Sequence, residues 1–223
     1  MLRRSLLKVV AATAVFGLVH SALASRQAKA AAARVFGRRE RNGWYRLFFN
    51  AQSVVTLAAL AAYLWRLPDR VLYHLRGWVS VPLYAGQAAG LLYAIITAYH
   101  VGLAGILGLG PAMAYLRGQK RVRPEPEAQG PPLGEDGRLV VGGPFRRSRH
   151  PLNFAPLLVF WLWPRMTVKL LVFNLASTLY LYLGSLHEEA RLRAAYGEPY
   201  EAYRRGDVPF YLPQPVSTQV RLR

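Results

Sequence analysis

The chain has 223 residues, 53% of them hydrophobic, and carries 29 Lys and Arg against 11 Asp and Glu for a net charge of +18. Such a length suits one or two domains, and the lack of cysteine excludes a disulfide framework, a thiolate nucleophile and any Cys-ligated metal site. A soluble protein this basic would point to nucleic acid, but several apolar runs reach the roughly 20 residues that cross a bilayer, so lipid is the expected partner and no nucleic-acid surface is required.

In chain order, Leu6 to Ala24 is the first candidate span. Its Arg3-Arg4 start and Ala22-Leu23-Ala24 end also fit a secretory or twin-arginine signal, which stays open beside the reading as an intrinsic helix. Phe48 to Leu64 is an uncharged second span. Val79 to Leu116 lacks any charge but is roughly 57 Å long as one helix at 1.5 Å per residue, too long for one crossing. Gly102, Gly105, Gly108, Gly110 and Pro111 interrupt it. A span to about His100 followed by an interfacial or re-entrant piece is expected, with a second full span as the alternative. Leu152 to Trp163 is short, and Val168 to Leu186 completes a hairpin with it. Trp44, Tyr45, Trp65, Trp78, Trp161 and Trp163 stand near the ends of these runs, as interfacial aromatics do.

The fold class expected is therefore all-α, a polytopic membrane bundle of about five transmembrane helices. With the N-terminus outside, residues 26–46, 117–149 and 191–223 face the cytosol and hold 21 of the 29 basic residues, as the positive-inside rule requires. Residues 1–117 read as an N-terminal bundle of three spans plus an interfacial segment, 118–143 as a cytosolic linker, 144–213 as a hairpin with an amphipathic tail helix, and 214–223 as a basic tail. The linker contains RPEPEAQGPPLGED from Arg123 to Asp136, a composition unsuited to a core or to lipid. Asn50, Gln52, Ser53, Gln87, His100 and His20 lie in or near spans, where polar groups most often bond neighbouring helices.

Candidate chemistry gathers after Gly142. A glycine turn and the basic cluster Arg146, Arg147 and Arg149 lead to His150-Pro151 at the mouth of a helix, where free N–H groups suit an anionic ligand. The hairpin returns to His187-Glu188-Glu189. Out-and-back helices of similar length bring His150 and the glutamates to one level, placing cations beside carboxylates. Each feature alone also fits a bland reading, the arginines as anchors and the glutamates as a solvated helix face. No zinc-type ligand set and no Gly-x-Gly-x-x-Gly turn is present.

The order Gly143-Pro144-Phe145, Arg149-His150-Pro151, Glu188-Glu189 with Leu192, Tyr196-Gly197 with Tyr200 and Tyr203, and Val208-Pro209 with Pro213 resembles the integral-membrane methyltransferases. That superfamily holds isoprenylcysteine carboxyl methyltransferase and the phospholipid methyltransferases. The N-terminal part, around Gly17 to Ser25 and Tyr45 to Asn50, and Trp163 to Thr167 in the hairpin are similar to the NnrU-like branch, to which bacterial methanethiol S-methyltransferases are related.

The resemblance implies S-adenosylmethionine as cofactor, a small thiol or lipophilic acceptor, and a bacterial inner-membrane protein with its C-terminus in the cytoplasm. It places Gly143, Pro144, Arg149, His150, Pro151, Glu188 and Glu189 at the cofactor, with His150 also the candidate base for a thiol. The family usually has tyrosine and glycine where this chain has Asn153 and Ala155, which bears on cofactor geometry. The alternatives are a non-catalytic NnrU-type accessory or carrier linked to nitrogen-oxide metabolism and a nicotinamide-using reductase on the related fold.

Overall fold

The structure, a computed structural model, describes residues 2–126, 128–134 and 136–215; most of the expected basic tail at 214–223 falls outside them. In chain order the elements are α1 (Leu2–Ala24), α2 (Arg26–Phe36), α3 (Arg38–Trp65), β1 (Val71–His74), α4 (Val81–Val101), α5 (Leu103–Leu107), α6 (Leu109–Leu116), α7 (Pro151–Trp161), β2 (Arg165–Thr167), α8 (Val168–Tyr196) and α9 (Glu198–Arg205). Short 3-10 turns occupy Gly77–Ser80 and Gly143–Arg146. Among the described residues, four helical stretches are long and apolar enough to cross a membrane: α1, α3, α4 with its leading turn, and α8. The protein is thus an all-α polytopic bundle.

Two features differ from expectation. The hairpin's first arm, α7, has only 11 residues, roughly 16 Å at 1.5 Å per residue and so short of a 30 Å hydrocarbon core. In addition, β1 and β2 form a two-stranded antiparallel sheet pairing Val71 with Thr167 and His74 with Arg165. Both strands lie in short connections, where backbone groups outside helices need partners and take them from each other.

The chain forms two compact units, one of residues 1–74, 104–126 and 165–177, the other of 75–103, 127–164 and 178–223. In the first, Ser5, Val9, Thr13 and Gly17 are the buried residues of α1. Their four-residue spacing makes a seam of mostly small side chains, which lets helices approach closely. Val9 packs with Leu60 and Leu64 of α3. His20 Nδ1 lies 3.1 Å from Ser53 Oγ. Asn50 Nδ2 donates to the carbonyls of Ile106 and Leu107, each at 3.0 Å, which are among the carbonyls left open where the five-residue α5 ends. Gly108, at φ 81, separates α5 from α6. Neither piece is long enough to span, so the second full span weighed for this stretch does not form.

The other unit positions the site. Gly102, at φ 106, ends α4 through a left-handed cap that suits glycine. The antiparallel contact of α4 with α7 relies on Gly90, where a Cβ would stand 2.8 Å from Leu158 Cβ and 3.1 Å from the Ala155 carbonyl. The returning part of α8 meets α7 at three levels: Trp161 Nε1 donates to Thr178 Oγ1 at 3.0 Å, Asn153 Nδ2 to Ser185 Oγ at 2.9 Å, and His150 meets Glu188. At the C-terminal end of α8, Ala128, Leu192, Tyr200 and Tyr203 of α9, and Val208 form a small core.

The segment expected as a linker is irregular, as its prolines and glycines dictate, yet it packs. In the first unit, buried Glu125 receives Lys29 at 3.2 Å and Arg41 at 2.8 Å. In the second, Ala128 and Pro131 are buried, and Gly130 admits Leu192 so closely that a Cβ would stand 2.7 Å from its methyls.

Candidate active site

His150 is the N-cap of α7, with Pro151 at the first helical position. Proline fixes φ there without loss of a needed donor, and the His150 carbonyl accepts the N–H groups of Asn153 and Phe154 at 3.1 and 3.0 Å. The His150 N–H donates to Ser148 Oγ at 3.1 Å, whose own hydroxyl donates to the Tyr211 carbonyl at 2.7 Å. The ring is thereby set at the helix mouth, only 2% exposed.

Two carboxylates meet this ring. His150 Nδ1 lies 3.2 Å from Glu188 Oε2, and Nε2 lies 3.5 Å from Glu189 Oε1. At that length the second contact is electrostatic, and Nε2 makes no hydrogen bond among the described residues. Glu188 is buried and takes three partners: the Nδ2 of Asn153 at 2.9 Å, the backbone N–H of Gln129 at 2.5 Å and the His150 ring. Burial by itself lowers the pKa of His150, but the hydrogen bonds and charges of Glu188 and Glu189 more than offset it and leave the imidazole above its usual value.

Arg149 is committed within the protein. Its Nε donates to Glu189 Oε1 at 2.8 Å, and its Nη1 donates to the carbonyls of Arg204 and Val208 at 3.1 and 3.2 Å. The segment after α9 runs back across the helix mouth. Arg149 N–H donates to the Pro209 carbonyl, Gln214 N–H to the Arg147 carbonyl, and the Phe210 ring stands edge-on to His150 with centroids 4.9 Å apart.

Tyr203 donates to the Phe145 carbonyl at 2.6 Å, while the buried Tyr200 hydroxyl has no hydrogen-bond partner among the described residues. Burial raises both phenols far above the ordinary range, so both stay protonated. Burial pushes Tyr211 up to about 12.

The hairpin thus gathers Arg149, His150, Pro151, Glu188 and Glu189. Gly143, at φ 49, stands against the His100 ring: a Cβ there would lie 2.4 Å from His100 Nε2. Pro144 is buried in the same turn. Sequence reasoning did not single out Asn153, Ser185, Ser148 or the Gln129 N–H as partners of the cluster. Asn153 and Ser185 lie on facing helices at the level of the glutamates, and that shared level was their only signal. The Gln129 contact had none, because it depends on how an irregular segment closes.

Fold and site together define a polytopic α-helical membrane protein with a buried histidine–glutamate cluster at the mouth of its C-terminal hairpin, and its similarity to named enzymes supports a membrane methyltransferase. Its named relatives are methanethiol S-methyltransferases. That of Crocosphaera subtropica is 28% identical over 200 residues, covering 89% of this chain and 71% of the relative. Those of Pseudomonas deceptionensis and Bradyrhizobium diazoefficiens are each 39% identical, over 70 and 84 residues, covering 31% and 35% of this chain but only 27% and 32% of their own lengths. No family model and no solved structure matches the chain.

Proposed function

We propose that this protein is an S-adenosylmethionine-dependent methyltransferase of the bacterial inner membrane that methylates a small thiol, methanethiol being the first candidate, with its C-terminal third in the cytoplasm. The observation that carries this reading is the buried His150 ring held by Glu188, with its Nε2 unbonded beside Glu189. The printed names of the relatives supply the thiol, and the distribution of basic residues supplies the sidedness.

The residues present fit such a cofactor. Its α-ammonium group and its sulfonium are cationic, and Glu189, with 13% of its side chain exposed, is the carboxylate open to them. The buried and unpartnered Tyr200 hydroxyl is a donor for a polar group of the same ligand. When bound, the cofactor supplies an electrophilic methyl on a sulfonium. The chain's part is to align the groups and exclude water. His150 takes the thiol proton at Nε2, and Glu188 stabilises the imidazolium that forms while fixing the ring through Nδ1. Arg149 holds Glu189, and Phe210 covers the ring from the side of the tail.

The test is calorimetric titration of S-adenosylmethionine into the purified protein in nanodiscs, comparing wild type with Glu188→Gln, Glu189→Gln and His150→Ala. Saturable binding by the wild type that the glutamate changes weaken is expected. Binding left intact by all three substitutions would remove the cofactor from this cluster.

A further inference from the structure

Asn153 lies in the first turn of α7, and its surroundings give it a task of its own. Its Nδ2 is the donor in two bonds, to Glu188 Oε2 and to Ser185 Oγ, each at 2.9 Å. Ser185 is fully buried, and its hydroxyl donates to the Leu181 carbonyl at 2.9 Å, so its oxygen can only accept from Asn153. With both amide hydrogens committed in this way, the flip of the amide is fixed by its partners. The Asn153 carbonyl, on the backbone, accepts the Tyr211 hydroxyl at 2.9 Å, which ties the same residue to the tail segment.

We infer that Asn153 is a positioning residue: it shares Glu188 Oε2 with His150 Nδ1 and so fixes the orientation and the basicity of the carboxylate that orients the histidine. This rests on the reading of His150 as the thiol base. A carboxylate that gives part of its oxygen to a neutral amide attracts a proton on the facing imidazole less strongly. A tyrosine at this position would present a phenol, whose single hydroxyl hydrogen could reach only one of these two acceptors.

The groups that set the charge of His150 can be named from every side. Glu188 and Glu189 on α8 act on the ring directly. Arg149, its neighbour in the chain, directs its charge to Glu189. From α9 come Tyr200 and Tyr203, and from the tail segment Tyr211, all raised by burial and so neutral. The tail also contributes Phe210. Asn153 is therefore the uncharged group whose replacement alters the histidine through Glu188 while the other charges stay in place.

The experiment follows the ionisation of His150 by NMR of histidine-labelled protein in detergent, assigned with His150→Ala, in wild type, Asn153→Asp, Asn153→Gln and Ser185→Ala. Asn153→Asp places a second negative charge beside Glu188 and should raise the titration midpoint of His150 by about one pH unit or more, and the acid limb of thiol methylation should rise with it. Asn153→Gln should restore most of the wild-type midpoint, and Ser185→Ala should leave it in place. S-adenosylmethionine affinity, measured well above the His150 midpoint, should change by less than about threefold in Asn153→Gln. A midpoint unmoved in folded Asn153→Asp, or moved equally by Ser185→Ala, would overturn the inference. A wild type that binds no cofactor and methylates no thiol would instead end the methyltransferase reading, and the NMR midpoints would still decide the role of Asn153.

Discussion

Nδ1 of His150 stands 3.2 Å from Oε2 of Glu188, although 38 positions separate them in the chain. The contact exists because α7 and the returning part of α8 run antiparallel and in step, so His150, just before α7, meets Glu188, the twenty-first residue of α8, at the same level. The pairing is supported by the Gln129 N–H and the Asn153 amide, which hold Glu188 in place.

Glu188 is 5% exposed and takes three donors. Glu188→Ala would leave the Gln129 N–H and the Asn153 amide buried without their acceptor, and should cost about 2–5 kcal/mol, as when one partner of a buried charged network is removed. Glu188→Gln keeps one acceptor and should cost less. Thermal unfolding in a single detergent, read by circular dichroism, checks the order.

The pH dependence of stability has a definite sign. The folded-state pKa of His150 is raised above the usual 6.5. Its contribution is therefore complete below about 6.5, where both folded and unfolded forms carry the proton. It is lost as pH rises through the raised folded-state value. The wild-type unfolding midpoint should fall across that window, and His150→Ala should flatten that part of the curve. Cofactor affinity should move the opposite way, tightening as the imidazolium beside Glu189 loses its charge.

Tyr200 and Tyr203 form a matched pair of tests, since both are buried and adjacent in the same small core. Tyr203→Phe removes the 2.6 Å bond to the Phe145 carbonyl and should cost about 1–3 kcal/mol by leaving a buried acceptor without its donor. Tyr200→Phe removes a hydroxyl with no partner among the described residues and should be neutral or slightly stabilising. If Tyr200 serves the cofactor, the same change should weaken S-adenosylmethionine binding without lowering the unfolding midpoint.

Gly143 carries φ +49 and abuts the His100 ring. Gly143→Ala should cost about 1–2 kcal/mol from the left-handed backbone alone, with more from displacement of the ring. Unfolding measurements on Gly143→Ala and on Gly143→Ala combined with His100→Ala separate the two, because only the steric part disappears in the double variant.

The elements that were legible in the sequence are those governed by composition and repeat. The apolar runs became α1, α3, α4 and α8, and Gly102 and Gly108 broke the overlong stretch as glycines in left-handed positions do. The meeting of His150 with Glu188 followed from hairpin symmetry. Three things did not follow. The pairing of Val71–His74 with Arg165–Thr167 joins two loops whose separate sequences carry no alternation worth noting. The burial of Glu125 and Ala128 in a proline- and glycine-rich stretch depends on partners far along the chain, Lys29 and Arg41 for one and Leu192 for the other. The role of Asn153 was hidden because a departure from a family pattern says what is missing and leaves unsaid what the new side chain reaches.

The most direct test supplies purified protein in nanodiscs with S-adenosylmethionine bearing a labelled methyl group and with methanethiol, and measures labelled dimethyl sulfide in the headspace. The wild type should release it, with a rate that rises with pH through the His150 midpoint, while His150→Ala should lose at least about 100-fold as a missing general base does. Turnover equal in wild type and His150→Ala, or none in a wild type that binds the cofactor, would contradict the assignment of His150 as the base for thiol methylation.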